Sequence, residues 1–464
     1  MNPSISSISR PNIIFILADD LGYREVGCFG QERINTPFID MLANEGMRLT
    51  SHYSGSPVCA PSRCTLLTGM HTGHAIVRNN REVGGWGPDE PEGQYPLPKG
   101  TELLSTSLQK SGYVTGAFGK WGLGGPESTG HPNKQGFDYF YGYLCQRVAH
   151  NYYPTHLWRN GEKEFLEGNE SWFSAHQKIE QPTSFSEFSS NTYAPDKILD
   201  EAVKFIDSNA SEPFFLYFAS IIPHLALQIP NAELDQYPKS WDSKPYLGEK
   251  GYLPHPRPRA AYAAMISRFD QEVGSIIKAL KRNGIDDNTM IVVTSDNGPS
   301  WIGGVDLQFF NSAGELRGRK AQLFEGGIRV PTVVWWPGHI QGRLSNGTPT
   351  AFWDWYPTLM SVAGLPVPIV DGIDLLPLLK EQSQMPTRGL YWEHGKTQAF
   401  RQGSWKLYRM QTKDGIQSML FNLENDISES NNLASEFPEQ LSAMIEAANA
   451  SRSSSKSFTS FLDK

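Results

Sequence analysis

Short, uninterrupted apolar runs recur along the chain and alternate with segments of helical periodicity. The first run, NIIFILA, lacks the polar alternation of a strand with one face in water. It therefore predicts a strand buried on both faces, as in sheets that helices cover on both sides. The alternation as a whole predicts an α/β fold with a large, mixed, mostly parallel sheet flanked by helices. The predicted strands span residues 12–18, 113–118, 214–219, 290–295 and 332–336.

Glycine and proline mark the ends of the predicted helices. Pro37 suits the first position of a helix that Gly46 would end. The segment 259–283 has apolar residues at helical spacing and is followed by another glycine. Two further predicted helices begin at residues 194 and 353.

The pattern changes after residue 376, where short strand-like segments follow one another without long helices. This succession is typical of an antiparallel sheet, and a helical pattern at 436–450 follows it. We therefore predict a larger α/β domain at 1–376 and a smaller C-terminal subdomain, an antiparallel sheet plus a helix, at 377–464. The segment 121–192 is rich in glycine, proline, asparagine and aromatic residues, and it predicts long loops of the kind that carry specificity.

The charge balance disfavours some partners. Lysine and arginine number 41 against 49 aspartates and glutamates, a formal net charge of −8, so we expect no nucleic-acid partner. No apolar run reaches the ~18–20 residues of a membrane helix, so we expect no membrane span. The first residues also lack the apolar core of a signal peptide, which predicts a cytoplasmic protein as the sequence stands, or a periplasmic one if a signal was removed.

Polar residues follow two of the predicted strands directly. Asp19 and Asp20 follow the first strand, and Asp296 and Asn297 follow the strand at 290–295. Ligands collect at the carboxyl ends of strands in such sheets, and carboxylate and amide oxygens suit Ca²⁺ or Mg²⁺ rather than zinc. Taken singly, each pair is equally explained as a turn or a helix cap.

Cys59 opens the run CAPSRCTLLTG. Pro61 suits the start of a helix, which puts Cys59 at a helix N-terminus, where the pKa of a thiol is lowered. Arg63, about one turn along, can reach back to the same point. The structural alternative is a small buried cysteine. The four cysteines of the chain form neither a disulfide framework nor a zinc spacing.

The run from Cys59 to Gly69 matches, without a gap or substitution, the C-x-P-S-R-x-x-x-[TL]-x-G signature of type I sulfatases in the alkaline phosphatase superfamily. The resemblance covers nearly the whole chain. It implies an alkaline phosphatase-like fold and the oxidation of Cys59 to formylglycine by a formylglycine-generating enzyme. The hydrate of that residue would attack the sulfur of a sulfate ester, giving an alcohol and inorganic sulfate.

Other segments resemble motifs of the same family. ADDLGY and SDNG imply Asp19, Asp20, Asp296 and Asn297 as metal ligands together with residue 59, for Ca²⁺ or alternatively Mg²⁺. The segments GKW, PH and LRGRKAQLFEGGIRVP imply further roles. Lys120 and Lys320 would contact the sulfate with Arg63, and His224 would protonate the leaving alcohol. A lone lysine or histidine is usually structural, and the joint occurrence of these motifs favours function.

One position departs from the family pattern. Where relatives often read G-K-W-H-L-G, this chain has Gly122 in place of the histidine. That histidine lies near the formylglycine hydrate in relatives. Either another group replaces it, with His131 and His150 as candidates, or water does.

Two alternative functions remain open on these residues. A phosphodiesterase or phosphonate hydrolase of the same superfamily could carry formylglycine, and an unoxidised Cys59 would leave a non-catalytic sulfoglycan-binding protein. The loops and the 12 tryptophans predict a sulfated sugar or oligosaccharide as the substrate. The candidate substrate contacts, each of which can also be structural, are Arg78, Asn79, Asn80, His150 and His394.

Overall fold

The computed structural model describes residues 10–180 and 182–463. Its strands are β1 (Asn12–Ala18), β2 (Met47–Leu49), β3 (His52–Tyr53), β4 (Val114–Lys120), β5 (Tyr139–Tyr143), β6 (His156–Arg159), β7 (Glu162–Phe165), β8 (Phe214–Ala219), β9 (Thr289–Ser295), β10 (Val333–Trp335), β11 (Leu344–Asn346), β12 (Thr350–Ala351), β13 (Gly389–His394), β14 (Thr397–Gln402), β15 (Trp405–Thr412) and β16 (Gly415–Asn422). Its helices are α1 (Pro37–Glu45), α2 (Cys59–Thr68), α3 (Leu104–Lys110), α4 (Ala194–Ser208), α5 (Pro258–Asn283), α6 (Leu307–Phe310), α7 (Glu325–Ile328), α8 (Trp355–Val362), α9 (Leu376–Glu381) and α10 (Pro438–Ala450). Within these residues, no helix has both the length and the apolarity that crossing a membrane requires.

A ten-stranded sheet forms the centre of the molecule, in the order β11-β2-β10-β9-β1-β8-β4-β5-β6-β7. The central strand β1 runs parallel to β8 and β9, and β4 runs parallel to β5 and β8. The antiparallel pairs lie toward the two edges, where β10 pairs with β2 and β9, and β6 pairs with β5 and β7. The predicted large, mixed, mostly parallel sheet flanked by helices is confirmed.

The side chains of β1 divide between the two faces of this sheet. Ile14 and Ile16 pack in the apolar cluster that includes α1, α4 and α5, whereas Ile13, Phe15 and Leu17 pack in the cluster that includes α2, α3 and α8. Both faces are therefore covered by helices. This explains why the run NIIFILA shows no polar alternation.

The segment 121–192 contains more than loops, and the prediction of long loops throughout was wrong. β5, β6 and β7 lie in it and extend one edge of the sheet. Arg159 pairs with Glu162 in the β6–β7 hairpin, which Asn160 and Gly161 connect. An Asn-Gly pair is the strongest short-range signal for such a hairpin, and Asn160 has the positive φ of 53° that the turn needs. The loop-like composition around these short strands concealed this signal.

The C-terminal part forms its own sheet, as predicted. β13, β14, β15 and β16 pair in sequence order, all antiparallel, and α10 packs against one face. The boundary that the sequence predicts between residues 376 and 377 falls at the first residue of α9. As a domain boundary it stays a prediction.

A buried ion cluster joins the C-terminal sheet to the rest of the chain. Nζ of Lys406 in β15 lies 2.9 Å from Oε1 of Glu325 in α7 and 2.9 Å from Oε1 of Glu429. The hydroxyl of Tyr53 in β3 donates to Oε2 of Glu325 at 2.6 Å. Because all four side chains are buried, charge as well as apolar packing holds the sheet in place.

Candidate active site

The carboxyl ends of β1 and β9 bring the predicted metal-ligating residues together. The two strands are adjacent and parallel, so the residues that follow them leave the sheet at the same edge. Nδ2 of Asn297 donates to Oδ1 of Asp20 at 2.7 Å, and the backbone N–H of Asp20 donates to Oδ1 of Asp296 at 3.2 Å. These side chains and that of Asp19 are buried.

Cys59 begins α2 and faces these carboxylates. Its Sγ lies 3.2 Å from Oδ1 of Asp19, and the residue is 2% exposed. The sequence predicts that the helix N-terminus lowers the pKa of this thiol, and that prediction was wrong. Burial raises the pKa of Cys59 well above its ordinary value, and the negative charges of Asp19 and Asp296 raise it further. The unmodified thiol is therefore protonated at neutral pH and is a poor nucleophile.

The amines of two lysines lie within 4 Å of Sγ of Cys59. Nζ of Lys120 lies 2.5 Å from Oδ2 of Asp19 and 3.5 Å from Sγ of Cys59. Nζ of Lys320 lies 2.7 Å from Oδ2 of Asp20 and 3.9 Å from Sγ of Cys59. Burial, the largest single effect, lowers the pKa of each amine, but the negative groups around it, led by Asp19 for Lys120 and by Asp20 for Lys320, together raise the pKa above its ordinary value, so both are cations at neutral pH. The site can therefore neutralise an anion placed against residue 59.

The guanidinium of Arg63 binds the carboxylates and the end of β4. Its Nη2 and Nε donate to Oδ2 of Asp296 at 2.9 and 3.1 Å, and its Nη1 donates to the backbone carbonyl of Lys120. The side chain is fully buried. This arginine therefore positions Asp296 and the end of β4, which carries Lys120.

His224 presents one ring nitrogen to the site. Nδ1 lies 2.6 Å from the carbonyl of Leu225, to which it donates, so Nε2 faces the site. Nε2 lies 3.0 Å from Nζ of Lys320 and 3.6 Å from Oδ2 of Asp20. Burial and the charge of Lys320 lower the pKa of His224 to about 4. A bound anion beside Nε2 favours the imidazolium form and would raise this pKa.

The buried cluster at the strand ends fits a divalent cation. Ligand atoms of Asp19, Asp20, Cys59 and His224 all lie within 4.8 Å of one another. Oδ1 of Asn297 is buried and accepts no hydrogen bond from any described residue, so an acceptor is free for a cation. Hard oxygen ligands of this kind suit Ca²⁺ or Mg²⁺. His224 enters this cluster in addition to the residues that the sequence implied.

Gln146 occupies the space beside Gly122. A Cβ atom built on Gly122 would lie 2.7 Å from Cγ of Gln146 and 2.9 Å from its Cδ. The amide of Gln146 hydrogen-bonds Oδ1 of Asn80 at 3.4 Å and Oε1 of Gln94 at 3.3 Å. Sequence reasoning missed Gln146, because nothing in its neighbourhood along the chain marks it.

The two histidines that the sequence offered as replacements lie in different places. The ring of His150 stacks on that of His224, with centroids 4.3 Å apart and planes 15° from parallel. His131 instead bonds the backbone of Asn160 and Asn133. Of the two, His150 is therefore the one in contact with a predicted catalytic side chain. His150 also bonds His176 at 3.1 Å, a residue that the sequence did not single out.

The other predicted substrate contacts divide into two groups. Oδ1 of Asn80 accepts the backbone N–H of Ala60 at 3.0 Å, which places Asn80 beside the first turn of α2, and Asn79 precedes it. Arg78 is buried and bonds Oε1 of Glu393 at 2.9 Å, so it holds the C-terminal sheet. His394 lies with Arg78 and Asn79 around a small cavity of about 80 Å³. As substrate contacts, all of these residues stay predictions.

Comparison with known proteins agrees with this arrangement. The sequence model of the family described as Sulfatase matches residues 11–365. N-acetylgalactosamine-6-sulfatase of Rattus norvegicus is 31% identical over 401 residues, which cover 83% of this chain and 69% of that protein. Arylsulfatase G of Rattus norvegicus is 29% identical over 479 residues, which cover 93% of this chain and 84% of that protein.

Among solved structures, the crystal structure of Ps i-CgsB in complex with k-i-k-neocarrahexaose has a TM-score of 0.78 and 29% sequence identity. The alignment covers 96% of this chain and 94% of that chain. The family match includes both strand ends, the start of α2, His224, Lys120 and Lys320. The chain therefore belongs to the sulfatase family of the alkaline phosphatase superfamily and is a hydrolase of sulfuric esters.

Proposed function

We propose that this sulfatase removes sulfate from sugars or oligosaccharides, with a formylglycine made from Cys59 as its nucleophile. One observation carries the proposal: residue 59 lies at a helix N-terminus, and the amines of Lys120 and Lys320 are 3.5 and 3.9 Å from its Sγ. A sulfate ester seated there would meet two cations. Further support comes from the relatives, since one is named for N-acetylgalactosamine-6-sulfate hydrolysis and one structure contains a neocarrahexaose.

The proposed site takes a divalent cation, Ca²⁺ or alternatively Mg²⁺, held by Asp19, Asp20, Asp296, Asn297 and residue 59. When bound, such a cation withdraws charge from a nucleophile and from the sulfuryl oxygens. Oxidation of Cys59 needs a formylglycine-generating maturation enzyme as a partner. The resulting aldehyde hydrate has two hydroxyl groups, so one can attack sulfur and the other can later expel sulfate, which a serine or a cysteine cannot do.

The chain's own residues then have separate roles. Lys120 and Lys320 offset the negative charge that spreads over the sulfuryl oxygens, and loss of one such preorganised donor costs about 3–4 kcal/mol in comparable sites. Arg63 positions Asp296 and the end of β4. His224 gives the proton on Nε2 to the oxygen of the leaving alcohol as the S–O bond breaks.

The nearest rival is a phosphodiesterase or phosphonate hydrolase. The crystal structure of the phosphonate monoester hydrolase of Agrobacterium radiobacter has a TM-score of 0.65 and 20% identity, a likeness of fold alone. Parallel assays with an aryl sulfate and an aryl phosphodiester decide between them. We expect kcat/KM for the sulfate to exceed that for the phosphodiester by at least about tenfold. The reverse order would overturn the proposal, and no turnover of either by formylglycine-containing protein would favour a sulfoglycan-binding protein.

Replacing His224 with alanine should lower kcat more for substrates whose leaving group is more basic. We expect kcat for a sulfated sugar, whose alcohol needs a proton, to fall about 10²–10⁴-fold. For an activated aryl sulfate, whose phenolate leaves without a proton, kcat should fall less than about tenfold. Steady-state kinetics on both substrates test this, and equal losses on the two would contradict the role of His224 as the acid.

A further inference from the structure

A cavity of about 590 Å³ lies close to the active site, beyond the stacked rings of His150 and His224. Its wall comes from the loop around residues 86–92 and from the segment 147–176. Three aromatic side chains on this wall are unusually exposed for their size: Trp86 at 39%, Trp172 at 44% and Phe165 at 74%. Exposed aromatic faces around a cavity of this size are typical of a ligand site.

Three histidines in contact connect the cavity wall to the active site. His176 is part of its wall, and Nε2 of His176 lies 3.1 Å from Nδ1 of His150. The ring of His150 in turn stacks on that of His224. A ligand that fills the cavity therefore lies on the His224 side of the active site, where the leaving alcohol would be.

Two cations on the cavity wall, Arg147 and Lys163, form no ion pair within the described part of the chain, and Arg147 is the one that lies over an aromatic ring of the wall. The guanidinium of Arg147 lies 4.2 Å above the ring of Trp86. Within residues 10–180 and 182–463, no carboxylate forms an ion pair with Arg147, and its buried Nε has no hydrogen-bond partner. A planar guanidinium held on an aromatic face presents its N–H groups in the geometry that matches a sulfate or a carboxylate.

The other polar groups limit where an anion can bind. Oε1 of Glu92 accepts from Nε1 of Trp158 at 2.9 Å, while its buried Oε2 has no partner among the described residues and can accept from a sugar hydroxyl. The remaining glutamates on the wall disfavour an anion close to their own carboxylates. They are Glu90, Glu167 and Glu170.

We propose that this cavity binds the sugar unit that follows the sulfated one on its leaving-group side. In it, Trp172 and Trp86 contact the sugar ring, and Arg147 binds an anionic substituent on that unit, either a second sulfate or a uronate carboxylate. The inference rests on the proposed function, because it takes the ligand to be an extension of the sulfated substrate. The substrate class is then an oligosaccharide with acidic groups on neighbouring units.

The test compares Arg147→Ala with the wild type on four substrates. The first is an aryl sulfate. The other three are disaccharides that carry one sulfate only, a sulfate on each ring, or one sulfate and one uronate. We expect kcat/KM for at least one of the two dianionic disaccharides to fall about tenfold, mainly through KM. For the aryl sulfate and for the disaccharide with one sulfate only, kcat/KM should change less than twofold. Arg147→Lys should retain part of the preference for dianionic disaccharides. Trp172→Ala should lower kcat/KM for all three disaccharides but not for the aryl sulfate.

Arg33→Ala is the matched control, because Arg33 also lies over an aromatic ring, that of Phe309 at 4.5 Å, but is outside the cavity. Calorimetric binding of the same disaccharides to the Cys59→Ala protein, with and without Arg147→Ala, gives a readout that needs no turnover. The inference would be overturned if Arg147→Ala left Kd and KM unchanged for both dianionic disaccharides. It would also be overturned if the disaccharide with one sulfate only lost as much affinity and kcat/KM as they did. Absence of aryl sulfate turnover in the wild type would instead count against the proposed function.

Discussion

Cys59→Ala is expected to lower kcat/KM for an aryl sulfate to the background rate, a loss of about 10⁴–10⁶-fold, as for the removal of other enzymatic nucleophiles. Alanine has no sulfur to oxidise, so no aldehyde and no hydrate can form. The rest of the site should persist, because Asp19, Asp20 and the two lysines bond one another without the thiol. Calcium should therefore still raise the Tm of the variant, since a ligand that binds the folded state stabilises it.

Cys64→Ala is the control for this experiment. Cys64 is buried in the same helix but packs in the apolar cluster on that face of the sheet, away from the carboxylates. We expect its kcat to stay within about twofold of the wild type. Oxidation of –CH2SH to –CHO lowers the mass by roughly that of one water, so intact-mass measurement should show this decrease in the Cys64 variant and none in the Cys59 variant. Turnover by Cys59→Ala above background would refute the mechanism, and a lost calcium response would show that the variant damages the site itself.

Lys406→Met should lower the free energy of unfolding by about 3–5 kcal/mol, the usual cost of removing one partner from a buried ion pair. Methionine fills a similar volume but, within the described residues, leaves Glu429 without an ion pair and Glu325 with Arg329 alone, at 3.4 Å. Although burial raises it, the charges of Lys406, Arg329 and Arg401 together hold the pKa of Glu325 below its ordinary value, and Lys406 has the largest effect of the three. Urea unfolding at pH 7 measures the loss.

An exposed lysine in the same sheet provides the comparison. Lys396 lies in the β13–β14 turn, and Lys396→Met should change the unfolding free energy by less than about 0.5 kcal/mol. Adding Glu429→Gln to Lys406→Met should recover part of the loss, because the carboxylate that the first substitution leaves unpaired is then removed. If Lys406→Met were as stable as Lys396→Met, the ion cluster would not be what holds the C-terminal sheet.

Two kinds of feature could be predicted from the sequence. Strands such as β1 and β9 and helices such as α1 and α5 follow from local periodicity and from glycine and proline at their ends, which are properties of neighbouring residues. The candidate site could be predicted because its residues occur in compact motifs directly after strands, and parallel strands bring such residues to one edge. For the same reason the Asn160-Gly161 hairpin was predictable in principle, although the loop-like composition around it hid the signal.

Other features depend on residues far apart along the chain, so only the tertiary structure could decide them. The pKa of Cys59 rises rather than falls because burial and the carboxylates of Asp19 and Asp296 outweigh the helix N-terminus. Gln146 fills the space beside Gly122 because β5 runs next to β4, which no local pattern encodes. Local sequence thus determines which elements form and which reactive groups they carry. Long-range packing determines the electrostatic environment of those groups and the shape of the cavity beside them.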